Sequence, residues 1–154
     1  MTYYVKLLGS TDMPMANYPW DEDEMRREVR FPPKPPPADV SPGDELVYYA
    51  VGGFKRVFAT ARVEELPQIN NIHSNPTVAR RWPYAAAVRL RPDTKLTYVT
   101  SGPELDDITP GLQQKVGHGV SHFEIGKPEF ERAVSLLRQK KMDEDQKIKT
   151  GWKP

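Results

Sequence analysis

The chain has 154 residues, the size of one domain, with 38% hydrophobic residues and a formal net charge of +1. A near-neutral balance excludes a global field that would draw the protein to nucleic acid or to a membrane surface, so any such contact must come from a local patch. Cysteine is absent, which removes disulfides, thiolate metal sites and a cysteine nucleophile together and fits a reducing, cytoplasmic location.

No apolar run approaches the roughly 20 residues that span a bilayer. The opening "MTYYVKLLGSTD" is too short and too alternating for a signal peptide. Its "TYYVKLL" is β-branched and aromatic and predicts the first strand. A loop follows. "WDEDEMRREV" then puts acids in the first turn and bases in the last, the order that suits a helix dipole. Five of the 16 prolines fall in "FPPKPPP", residues 31–37, a stiff extended connector without proline N–H donors.

"SPGD" is a turn signal, and "ELVYYAV" and "VFATARVEEL" read as the two strands of a hairpin turning at Gly52 and Gly53. "PQINNIHSNPTVARR" reads as a polar loop, "WPYAAAVRL" as a central strand and "KLTYVT" as a further one. "SGPELDDITPGLQQKV" carries a helix start, interrupted at Pro110 and Gly111. "HFEI" is a short strand. "KPEFERAVSLLRQKK" is a long amphipathic helix, with Phe130, Val134 and Leu137 spaced i, i+4, i+7. Residues 1–140 are expected to form the domain, and 141–154 a charged tail that frays. Successive short strands with tight turns predict antiparallel pairing. The fold class is therefore mixed α/β (α+β), a small, partly closed barrel with flanking helices.

The catalytic patterns are weak. His118 and His122 lie four apart, but "GHGVSHF" is rich in glycine and β-formers and does not predict the helix that would align two metal ligands; no metal and no other cofactor is expected. There is no G-x-S-x-G for a nucleophilic serine, and "VGGFK" lacks the spacing of a phosphate loop. Binding is better supported. Aromatic residues crowd the strand ends: Tyr18 and Trp20, Tyr49 and Phe54, Trp82 and Tyr84. Trp82 could plug the barrel or wall a slot for a flat ring, and stacking a base on such a ring contributes about 1–3 kcal/mol. Lys55, Arg56, Arg80, Arg81 and Lys115 are the candidate phosphate contacts around it.

The order of these pieces resembles that of an EVE domain, a member of the PUA-like superfamily related to YTH domains. The resemblance rests on "YYVKLLGST", "YPWDEDEM", "SPGDELVYYAVGGFKRVFATARV", "RWPYAAAVRL" and "HGVSHFEIGKPEFERAV", and covers residues 2 to about 138. The family's Ser-Glu-Pro after the first strand is replaced by "LLGST", and its Trp and Asn before the Pro-Gly-Asp turn by "FPPKPPP". The resemblance implies a non-catalytic monomer that holds a flipped, modified base of DNA or RNA in an aromatic pocket beside a PUA-like barrel, at a cost of a few kcal/mol for unstacking. It places Ser10, Thr11, Tyr49, Gly52, Trp82, Tyr84, His118 and Ser121 at that pocket, and Trp20, before the first helix, is a further candidate for it. An ASCH-like ribonuclease using Lys6, Lys55 and His118, or a small-molecule-binding module on the same barrel, are the alternatives.

Overall fold

The computed structural model describes residues 1–10, 13, 22–34, 36–52, 54–117 and 119–149, with 148 and 149 described by their backbone alone. Among them a seven-stranded sheet runs in the order β2-β6-β4-β3-β1-β7, with β5 beside β6. The strands are β1 (Tyr3–Leu8), β2 (Glu28–Phe31), β3 (Glu45–Ala50), β4 (Val57–Val63), β5 (Gln68–Ile69), β6 (Tyr84–Leu90) and β7 (His122–Ile125). Only β1 and β3 pair in parallel; β1–β7, β2–β6, β3–β4, β4–β6 and β5–β6 are antiparallel. The sheet curls into the expected partly closed barrel, flanked by helices.

The register sorts the side chains. Tyr4 and Lys6 point from β1 into the barrel, where Tyr4 meets the His122 ring edge-on at 5.3 Å and the Lys6 ammonium lies 4.9 Å from the centre of the Phe31 ring. Tyr3 points the other way and packs on Phe130, 5.1 Å between ring centres. Phe130 belongs to α4 (Lys127–Lys149), which buries Phe130, Ala133 and Leu137 against the outer face. Strands covered on both faces read as continuous apolar runs, and β3 is buried at every position.

The structure departs from the sequence reading in four places. The acid-to-base run ends early: α1 is Glu22–Arg27, and the chain goes straight into β2, a strand the sequence reading took for the end of the helix. The polar stretch before Trp82 contains α2 (Pro76–Arg81), where Asn75 accepts the Thr77 N–H and Pro76 opens the first turn. "KLTYVT" is no strand: Leu96–Thr100 forms a 3-10 helix that buries Leu96 and Tyr98. Its β-branched composition yields to a position off the sheet edge. Finally, α4 continues through the expected boundary at residue 140 to Lys149. There Glu144 accepts hydrogen bonds from Lys95 at 3.1 Å and Tyr98 at 3.0 Å, and burial, with that carboxylate, pushes the Tyr98 hydroxyl up to about 12. The interrupted helix after Pro103 is as expected: α3 (Leu105–Ile108), then a short 3-10 turn at Leu112–Lys115.

Candidate functional site

A slot of about 480 Å³ opens at the end of the barrel where β1 leaves the sheet. Its walls come from five segments far apart in sequence: the end of β1 with Gly9 and Ser10, the stretch after β2 with Pro32 and Lys34, Val51 of the hairpin, Arg81 and Trp82, and the loop 116–121. That volume is within the range of small-molecule pockets.

Local chemistry holds each wall in place. Past β1, the Ser10 hydroxyl accepts the Met13 N–H at 3.1 Å and receives the Arg81 guanidinium at 3.4 Å. Trp82 caps the C-terminal end of α2, its N–H donating to the Val78 carbonyl at 2.9 Å. It is 8% exposed and packs with Met13 and Val78 in a small apolar cluster separate from the barrel core. The Arg81 guanidinium lies 5.3 Å from the indole centre. Arg30, buried on β2, fixes this corner from behind. It donates to the carbonyls of Asn70 at 2.8 Å, Ile72 at 2.5 Å and Trp82 at 3.1 Å, and pairs with Glu28 at 3.1 Å. The Ser121 carbonyl accepts the Leu7 N–H at 3.0 Å, while its hydroxyl lies 3.2 Å from His122 Nδ1.

Of the residues singled out from sequence, Ser10, Arg81, Trp82 and Ser121 converge on the slot. Several others lie elsewhere. Tyr49 points to the opposite face of the sheet, where its hydroxyl pairs with Gln113; the tyrosine facing the barrel interior is its neighbour Tyr48. Gly52 serves the hairpin turn, with φ at 75°. Tyr84 pairs with Phe31 in the β2–β6 ladder. Arg56 is engaged with Glu104 at 2.8 Å, and Arg80 with the Thr77 hydroxyl at 3.2 Å. Lys55 is exposed on the hairpin, and the Lys115 ammonium lies 6.0 Å from the centre of the Phe123 ring. Thr11, Trp20 and His118 lie outside the described residues.

Lys6 is the residue whose weight at this site the sequence understates. It is 1% exposed, and burial lowers its ammonium from the usual lysine range to about 7. The signal was there: a lysine between apolar residues on both sides of a strand has no wet face to reach.

Behind Trp82, ligand atoms of Glu24, Glu28 and His73 lie within 4.8 Å of one another. The hydrogen bonds argue for a clamp here and against a metal centre. His73 Nδ1 accepts the Asn75 N–H at 2.9 Å, so Nε2 carries the proton and faces the Glu24 carboxylate at 2.9 Å. A metal on Nε2 would need that proton moved to Nδ1, against an N–H donor. Glu24 also accepts the Ser74 N–H at 3.0 Å, so the group ties α1 to the segment that precedes α2.

No protein-family model and no curated protein matches the chain by sequence. Solved structures match its fold. The NMR structure of Rpa0253 from Rhodopseudomonas palustris aligns with a TM-score of 0.50 at 11% identity, over 88% of this chain and 92% of that one. A hypothetical protein from Leishmania major aligns with a TM-score of 0.50 at 15% identity, over 91% and 96%. At such identities the likeness is one of fold. Among the described residues no helix is long and apolar enough to cross a membrane.

Proposed function

We propose that this protein is a non-catalytic binder of nucleic acid, a cytoplasmic monomer of the EVE type, that holds a modified base in the slot beside its barrel. The observation that carries the reading is the convergence of Ser10, Arg81, Trp82 and Ser121, from three separate segments, around one void of about 480 Å³. Trp82 lines the slot, and a planar heterocycle laid against its indole would gain stacking energy. Arg81 and Lys34 are cations of that rim, placed to meet the phosphates that flank an extruded base. Ser10 and Ser121 bring hydroxyl and backbone groups to where a base edge would lie.

The test is fluorescence anisotropy with single- and double-stranded DNA and RNA oligonucleotides that differ in the modification of one central base. Tighter binding of a modified oligonucleotide than of its unmodified twin, with both weakened in Arg81→Glu without a change in melting temperature, is the expected result. Equal, weak binding of the whole panel would remove the reading. A second reading, an ASCH-like ribonuclease, draws on one observation: a buried lysine whose ammonium is lowered to about 7 lines the slot. Labelled RNA left intact by the wild-type protein would dispose of it.

A further inference from the structure

Lys6 and Tyr48 are Cα partners in the parallel β1–β3 ladder, so their side chains leave the same face of the sheet side by side. Each is 1% exposed. Among the described residues the Tyr48 hydroxyl has no hydrogen-bond partner. The Lys6 ammonium donates to the Leu7 carbonyl at 2.7 Å and reaches the Ser121 carbonyl at 3.5 Å, and among the described residues no carboxylate pairs with it. An ammonium has three N–H donors, so Lys6 and Tyr48 together hold donor capacity that the described residues do not use. Buried donors without acceptors are costly, and native structures keep few of them.

Both side chains border an inner chamber of about 30 Å³, room for about one water-sized group. Lys6, Leu7, Gly9 and Trp82 line the chamber and the slot alike, so a single partition separates the two. Much of the remaining chamber wall is apolar, including Leu8, Val29 and Val78.

We propose that the two spaces take one ligand: a planar ring in the slot, bearing a small substituent that passes Trp82 and ends, in the inner chamber, in a hydrogen-bond acceptor received by the Lys6 ammonium and the Tyr48 hydroxyl. This rests on the base-binding reading above and adds the class of modification, an oxygen-bearing group in place of a bare methyl. A methyl in the chamber would gain a little apolar burial but leave the Tyr48 hydroxyl and the third Lys6 N–H without an acceptor; an oxygen satisfies both, and its carbon lies against Val29 and Val78.

The probes are short oligonucleotides identical except at one base, which carries hydrogen, methyl or hydroxymethyl at pyrimidine C5 or at adenine N6. The hydroxymethyl form is expected to bind at least about fivefold more tightly than the methyl form, as one or two gained hydrogen bonds dictate. Tyr48→Phe removes one unpaired oxygen and nothing else, so it folds; it is expected to cut that preference while leaving affinity for the methyl form unchanged. Lys6→Met is expected to abolish the preference. Methyl binding as tightly as hydroxymethyl, or an undiminished preference in Tyr48→Phe, overturns the inference and leaves the ring slot standing. No binding by any member removes the ring slot, and the inference with it.

Discussion

The Phe31 ring on β2 meets the His122 ring on β7 edge-on, 5.4 Å between centres, although no ladder joins those strands. The two strands are the ends of the sheet's path, so this contact is where the barrel nearly closes. Phe31 is fully buried and also carries the Lys6 ammonium over its face. Phe31→Ala would remove the closing contact and leave a void beside a buried cation. Truncations of this kind cost about 3–5 kcal/mol, and the expected outcome is a fall of that size in stability by urea unfolding. A loss under about 1 kcal/mol would mean that β2 and β7 are held together by something other than this ring pair.

Lys6 makes stability depend on pH with a definite sign. Burial lowers its ammonium to about 7 in the folded protein, against an ordinary value of 10.5. Between those limits the unfolded chain binds more protons than the native one, so stability rises with pH. Below about pH 7 both states are protonated, and the native state bears the whole cost of a buried charge. Lys6→Met removes the effect. Its stability relative to wild type is expected to be greatest near pH 6 and to shrink by roughly 3 kcal/mol by about pH 9. A difference that stays flat across that window would show Lys6 to be hydrated or paired.

Much of this arrangement was legible in the residues, and the gaps have physical causes. β1, β3, β4, β6 and β7 announce themselves through β-branched and aromatic runs, and α4 through its apolar spacing. β2 is four residues long and follows an acid-to-base run, so Glu28 and Val29 read as the end of a helix and Phe31 as the start of the proline connector. α2 was hidden by polarity: its asparagine cap and first-turn proline are start signals, but its short apolar stretch reads as loop. For the site, Trp82 stands out as a tryptophan in a loop, whereas Ser121 is reached only through the family resemblance. Sequence alone does not say which parity of a strand buried on both faces looks into the barrel, and so does not separate Tyr49 from Tyr48. The burial of Lys6 is signalled by its apolar neighbours along β1, but the groups that give it weight lie across β3 and β7, beyond the reach of a local pattern.

Arg30 gives a test of how Trp82 is positioned. Its guanidinium serves three carbonyls, those of Asn70, Ile72 and Trp82. Arg30→Met keeps the apolar stem and strands those acceptors together with Glu28. The expected cost is about 2–3 kcal/mol, concentrated locally: amide exchange should accelerate across residues 70–82 while α4 keeps its protection. Uniform acceleration through the whole domain would place Arg30 in the global core instead of the mounting of the slot.

The last prediction concerns the rim. If Arg81 and Lys34 contact phosphates, affinity for a single-stranded oligonucleotide must fall with salt, because each neutralised phosphate releases condensed counterions. Each such contact contributes about 0.7 to the slope of log affinity against log salt for single strands. Arg81→Ala combined with Lys34→Ala is therefore expected to weaken binding of every oligonucleotide in the panel alike and to flatten that slope by roughly 1.4. The preference among modifications should survive, since it would reside in groups that reach the base and not its backbone. Lys55→Ala is the control: Lys55 sits on the hairpin and is not among the residues lining the slot, so the slope should not move. A slope that drops for Lys55→Ala but not for the Arg81 and Lys34 pair would shift the nucleic-acid path from the slot to the hairpin.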